Sequence, residues 1–295
     1  MEAASVRPPL RAQGRSRRRL LTNRAVELLA VVAAFGAVGV LAVVVINVVQ
    51  RAVPALNVDL FTNVAATFGE AGGGISNAIV GSAIIVGLAG AAAVPIGVMV
   101  AIYVSEFAHE QVRRYVQLAL DVLNGVPSIV IGIFVYGLLV TGSGQAAWKA
   151  SFALAVIMLP IVSRTTIEVL GLVPGALREA SVALGVAKWR TVLFVVLPTV
   201  RGGILTGSTL AVARAAGETA PLLFTTSIFL NAVVTDPRQA MDTLPFTIFL
   251  YSESADTNLN QQAWAAAFIL MAFVLVTSLS ARYLLFRSER KIRGR

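Results

Sequence analysis

The chain has 295 residues, 57% of them hydrophobic and 13% charged, with a net charge of +9. That much apolar surface exceeds what a soluble core of this length can bury, so the composition excludes an ordinary water-soluble domain and points to a bilayer. The absence of cysteine excludes disulfides and thiolate metal sites, and the single histidine, His109, lies in a charged loop where it reads as solvated rather than as a ligand.

A basic tail over 1–24 opens the chain with Arg7, Arg11, Arg15, Arg17, Arg18, Arg19 and Arg24. Attraction to anionic lipid accounts for it without a nucleic-acid partner. The first apolar segment, Leu28 to Val49, is too long for a signal-peptide core and no small-residue cleavage site follows it, so it reads as a retained anchor. With the outer loop after it, the anchor fills 25–74. The second segment, Ile75 to Val104, is dense in small residues (Gly81, Gly87, Gly90, Ala91, Ala92, Ala93, Gly97), which lets helix backbones approach closely inside a bundle. Asp121, Asn124 and Ser128 in the third, Val116 to Val140, either line a cavity or cap helices beside Gly125 and Pro127. The fourth, Ala150 to Ile167, is interrupted by Pro160 and Arg164. Arg164 and Glu168 stand at i, i+4 near its end, where Arg164 either snorkels to the interface or lines a pathway.

The fifth and sixth segments run from Gly203 to Leu230 and from Ala263 to Leu285, before a second basic tail over 287–295. Most of the six approach or exceed the ~20 residues that a membrane-crossing helix needs. Between the last two lies a loop with Asp236, Asp242, Glu253 and Asp256 around an apolar run, Leu244 to Tyr251. That run either lies in the membrane interface or serves as a gate or docking contact. Most of the 24 Lys and Arg residues fall in the two tails, in Arg113 and Arg114 and around 164–201, leaving Arg51, Lys149 and Arg238 on the opposite side. The excess marks the cytoplasmic side, so both termini are expected there.

Arg214 stands inside the fifth segment. Counted from Gly203 at ~1.5 Å per residue it lies about 16 Å deep, near the middle of a ~30 Å hydrocarbon core. An arginine there costs roughly 2.5 to 3.5 kcal/mol on insertion scales. Glu218 follows at i+4 on the same face, so a self-satisfied ion pair is one reading. A functional pair on a pathway wall is the other, since Gly217 and Pro221 offer a backbone break of the kind tolerated only where it faces protein or a watery cavity.

The polar stretch between segments four and five holds Glu179-Ala180-Ser181, then Gly185, Val195 and Leu197-Pro198. Leu177, Ala180 and Leu184 make the apolar stripe of a short helix, Gly185 a stop, and Trp189, Leu193 and Val196 a second helix closed by proline. This spacing resembles the coupling loop of ABC importer permeases, whose pattern is Glu-Ala-Ala, three residues, Gly, nine residues, Ile, one residue, Leu-Pro; Ser181 and Val195 depart from it conservatively. More specifically, Asn77 to Gly81, Val94 to Gly97, Gly125 to Val130, Leu159 to Val162 and Gly217 to Leu223 resemble the PstA-type permeases of phosphate ABC importers over about 75–230.

The resemblance implies an all-α, six-span bundle of the type I importer kind, with a permease core over 75–286 and a coupling loop over 174–200. It implies coupling residues Glu179, Ala180, Gly185, Leu197 and Pro198, and a phosphate pathway at Arg214 and Glu218. Ser128 and Arg164 are further pathway candidates. Implied partners are a homologous PstC-type permease, two PstB-type ATPases carrying ATP and magnesium, and an external PstS-type phosphate-binding protein, in a bacterial inner membrane. The chain itself has no phosphate loop: Lys149, Lys188 and Lys291 precede Ala150, Trp189 and Ile292, so none sits in a Gly-Lys-Ser/Thr motif. No bound cofactor of its own and no enzymatic activity are expected. A permease for molybdate or sulfate stays open from the residues alone; a stand-alone secondary transporter would leave the coupling loop without a purpose.

Overall fold

The computed structural model describes residues 15–65, 72–226 and 232–293. Arg7, Arg11 and Arg295 of the expected tails, part of the first outer loop, and Ser227 to Leu230 at the expected end of the fifth segment lie outside the described residues. The chain divides into a unit up to Gln50 and a second from Arg51. In the first, helix α1 (Arg15–Ala52) starts well before the apolar run, because nothing between Arg15 and Leu28 breaks a helix. Its apolar side chains, Leu28, Phe35 and Leu41 among them, are exposed, as suits a lipid-facing anchor.

The second unit is all helical among the described residues. A short α2 (Val58–Thr62) is capped by Asn57, whose side-chain oxygen accepts from the Leu60 amide at 2.8 Å. Helix α3 (Ser76–Ile102) passes Pro95 unbroken and ends in a π turn over 103–107. Helix α4 (Glu110–Gly125) then meets Pro127, and the third expected segment is not one helix: α5 (Ser128–Val135), with its own π turn to Val140, leaves at a bend of 95°. Pro127 has no amide hydrogen and drives Val126 into extended backbone, φ −71° and ψ 128°, which a helix cannot continue through. Helix α6 (Ala147–Gly171) runs straight past Pro160.

Helices α7 (Gly175–Ala183) and α8 (Lys188–Thr191) follow, and a π turn over 192–196 joins α8 to α9 (Leu197–Ala216). The fifth span therefore covers Lys188 to Ala216 rather than 203–230. It stops at Gly217, and α10 (Leu222–Thr225) is a single turn after Pro221. Helices α11 (Leu244–Ser252) and α12 (Thr257–Arg293) complete the chain. Five described stretches are long and apolar enough to cross a membrane, six if the bent pair α4–α5 counts as one.

Helices α3, α6 and α9 form the core. Ile85, Ala89 and Ala93 of α3, Leu154, Met158 and Val162 of α6, and Ala211 and Ala215 of α9 are all buried. Lipid tails are as apolar as these side chains, so close backbone approach rather than water exclusion must hold them. A Cβ on Gly97 would lie 2.9 Å from Val162, and one on Gly203 2.6 Å from Val169. The contacts also fix the register: α9 runs antiparallel to α6, with Gly203 against Val169, Gly207 against Thr165, and Val212 meeting Gly90 beside Met158.

The apolar run Leu244 to Tyr251 falls within α11, and it is packed at both ends while Phe249 between them stays exposed. Leu244, Phe246 and Tyr251 are buried, with Leu244 and Tyr251 in a cluster with Leu60, Ile75 and Ala266. Two polar contacts pin this segment to the start of α3. Asn77 donates to the buried Asp242 carboxylate, and the Leu244 amide donates to Ser82 Oγ at 2.7 Å. Burial first, and the nearby Asp242 carboxylate second, push the Tyr251 phenol from 10.0 up to about 12. A pKa raised in the fold contributes stability that is complete below pH 10 and is lost as pH rises toward 12. Tyrosinate absorbance should show one tyrosine resisting ionisation until the protein unfolds in that window, and Tyr251→Phe should remove that resistant phenol.

Candidate functional site

Two groups of the expected site residues sit at different depths in the bundle. At the α7 end, the helix stop is a hydrogen-bonded Schellman turn: the Val186 amide donates to Ser181 O at 3.0 Å, and Gly185, at φ +72°, donates to Val182 O at 2.9 Å. Glu179 and Ala180 are exposed, while Ser181 is buried and donates to Leu177 O at 3.0 Å, which satisfies its hydroxyl. A row of apolar side chains stands open around the turn, with Leu172 at 78% and Leu184 at 82% exposure, and with Val182, Trp189 and Phe194 also exposed.

Leu197 and Pro198 do not close this segment. The π turn sends the Leu197 amide to Val192 O, shifting the hydrogen-bond register just ahead of the proline, so the helix continues into α9 instead of stopping. Pro198 sits in the first turn of α9, where its missing amide hydrogen costs nothing.

Arg214 and Glu218 face each other at the end of α9, Arg214 Nε to Glu218 Oε1 at 3.6 Å. The depth count from Gly203 started inside a helix that begins near Lys188. The packing register nevertheless sets Arg214 level with Met158, about halfway along α6, so the pair and the break at Gly217 lie near mid-length of the bundle. The two side chains differ in exposure, 58% for Arg214 and 16% for Glu218.

Ser128 is half-buried and opens α5, one turn before Gly132. A Cβ on Gly132 would lie 2.6 Å from Pro221 Cα, and the Tyr136 and Phe224 rings meet edge-on with centroids 6.3 Å apart. The second break, at Val126-Pro127, is thus carried on a helix that packs against the first.

Arg164 belongs elsewhere. It pairs with Asp121 across the α4–α6 contact and with Glu168 at 3.6 Å, beside a cavity of about 240 Å³ lined also by Gln117 and Ile167. By the α6–α9 register it stands roughly 9 Å toward the α7 end from Arg214. Asp121 is an ion-pair partner here rather than a helix cap.

Glu106 and Arg178, neither of them an expected site residue, form a buried ion pair, Arg178 Nη2 to Glu106 Oε1 at 2.7 Å with Glu106 at 6% exposure. The available signal was that Glu106 is the one acidic residue in the stretch Ser76–Phe107.

Residues 93–290 match the family described as the binding-protein-dependent transport system inner membrane component. The chain belongs to that family. It is 39% identical to the phosphate transport system permease protein PstA of Haemophilus influenzae, over 81% of this chain and 85% of that one. With the protein of the same name from Xylella fastidiosa strain Temecula1 it shares 37% identity over 92% and 95% of the two chains. A solved bacterial alginate ABC transporter superposes with a TM-score of 0.59 over 95% of this chain and 98% of that one; at 12% identity the likeness shows the fold alone. The chain is thus a PstA-type permease: a multi-span component of the inner membrane that works within an ABC transporter alongside ATPase and binding-protein components.

For such a permease, the open apolar face outside the spans, made by Leu172, Val182 and Leu184, is unfavourable unless a partner covers it. The Schellman turn sets the angle of that face. Gly185→Val places a β-branched residue at φ +72°, where nothing crowds the side chain but the backbone strain is ~1–2 kcal/mol. Its expected effect is a folded permease that binds its ATPase normally but whose ATP-driven uptake falls on the order of tenfold, measured as substrate uptake beside copurification of the ATPase.

Proposed function

We propose that this permease carries inorganic phosphate into the cytoplasm by alternating access, driven by ATP hydrolysed on attached subunits. The observation that carries this reading is 36% to 39% identity, over most of the chain, to several permeases named for phosphate transport. In this reading the partners are a homologous PstC-type permease, two PstB-type ATPases that hold ATP and magnesium, and an external PstS-type binding protein. The distribution of Lys and Arg supports an orientation with both termini and α7 in the cytoplasm.

The exposed face of α7, with Glu179 and Ala180, docks on an ATPase subunit, and Gly185 fixes its angle. Leu197 and Pro198 serve differently: they begin α9, the helix that ends at Arg214, so they link the docking segment to the pathway. Arg214, Glu218 and Ser128 line that pathway around the two helix breaks, and Arg164 stands toward its cytoplasmic end.

The pair at 214 and 218 divides the task chemically. A guanidinium fork suits a tetrahedral oxyanion and offsets part of its desolvation cost, but it attracts sulfate as well as phosphate. Near neutral pH phosphate keeps a proton and sulfate has none. A carboxylate can accept a hydrogen bond from the first and only repels the second, so Glu218 supplies rejection. In the reconstituted complex, tested without the selective binding protein, Arg214→Gln should abolish phosphate uptake, and Glu218→Gln should raise the sulfate-to-phosphate ratio on the order of tenfold. Unchanged transport and selectivity in Glu218→Gln would make the carboxylate a structural partner of Arg214. Preferred uptake of sulfate or molybdate by the unmodified complex would assign a different oxyanion.

A further inference from the structure

Arg178 lies on α7 but its side chain reaches back into the bundle. Its Nε and Nη2 both donate to Glu106 Oε1, at 3.1 and 2.7 Å. Nη1 donates to Val173 O at 2.8 Å, and Nη2 also to Leu170 O at 3.0 Å. One guanidinium therefore holds three elements together: α7, the last turn of α6 with its linker, and the π turn that ends α3. That π turn is also gripped from α4, where Arg113 donates to Val104 O and Ser105 O at 3.2 Å each. The two grips differ in what they are attached to. Arg113 anchors α3 to a neighbouring helix of the bundle, whereas Arg178 attaches it to the helix that carries the open apolar face.

Capping the α6 carbonyls would explain Arg178 without any carboxylate, because lysine and arginine satisfy helix C-termini unaided. Glu106 is the part that capping leaves unexplained. An acid at 6% exposure, at the end of an otherwise uncharged apolar helix, is disfavoured there unless it is paired, and its partner comes from 72 positions along the chain. We propose that Glu106 and Arg178 are positioning residues that form a strut, through which movement of α7 is delivered to α3 and so to the α3–α6–α9 core. The inference rests on the reading of α7 as the ATPase-docking helix. A charged pair suits the role because it transmits both push and pull, while the exposed apolar contacts of α7 stay free for the partner.

The test uses the full complex of both permeases, ATPases and binding protein in proteoliposomes, with phosphate uptake and ATP hydrolysis measured together. Glu106→Gln keeps the shape and one acceptor and leaves the carbonyl bonds of Arg178 intact. The expected result is normal copurification of the ATPases and retained hydrolysis, with phosphate moved per ATP reduced on the order of fivefold. Glu106→Asp, which keeps the charge, should recover part of the ratio, and Glu106→Ala should add nothing to the defect of Arg178→Leu. An unchanged ratio, or uptake and hydrolysis falling in the same proportion, overturns the proposal. Failure of Glu106→Gln to assemble also overturns it, since Glu106 is then a folding residue. Absence of phosphate uptake by the unmodified complex is a separate outcome, which removes the functional reading and this inference with it.

Discussion

A backbone inside a bilayer has no water to satisfy its amides and carbonyls, so a helix that breaks at membrane depth must do so against protein or a wet cavity. This chain breaks twice between its apolar helices. Val126-Pro127 separates α4 from α5, and Gly217 to Pro221 separates α9 from α10. The two breaks are not independent, because Gly132 of α5 abuts Pro221 and Tyr136 meets Phe224. The rest of the bundle serves to hold them: α3, α6 and α9 pack at glycine-width separations, and α6 and α3 stay unbroken through Pro160 and Pro95.

The charges follow the same division. Arg214 is largely exposed while Glu218 is largely buried, so the carboxylate is the member of the pair held by the fold. A pair serving only mutual neutralisation needs no such asymmetry. Near the α7 end the pattern reverses: Glu106 and Arg178 are turned inward and committed to one another and to helix ends, and the exposed surface is apolar. One charged pair is thus half open and the other closed.

Much of this was legible in the residues. Small-residue density in 81–97 announced a packed helix, and the polar stretch after Glu179 announced a helix stop, with Gly185 at the positive φ that its place after a helix demanded. The misreadings share a physical origin, in that hydropathy reports an apolar run but not its direction. Val116 to Val140 can still count as one span, but only as a bent one, because Pro127 turns it through 95°. Val192 to Val196 looked like the end of a surface helix, yet a π turn carries it into α9 past Pro198. The run 244–251 has the composition of an interfacial helix, and its composition gives no sign that Leu244 and Tyr251 pack with Leu60, Ile75 and α12. Of the pairings across long separations, Asn77 with Asp242 carries no local signal, and Glu106 with Arg178 only that of a lone acid in an apolar stretch.

The central claim is that the break after α9 borders a water-filled phosphate path. Gly217 is exposed, its backbone is one any residue adopts, and a Cβ there meets nothing closer than Arg214 O at 3.7 Å. The chain has no cysteine, so Gly217→Cys in the complete transporter carries the only thiol of this subunit. Its modification by a membrane-impermeant thiol reagent is the direct test. The account predicts modification in at least one nucleotide state, slowed by phosphate more than by sulfate. A thiol that reacts only with lipid-soluble reagents, at a rate indifferent to phosphate in every nucleotide state, would contradict it.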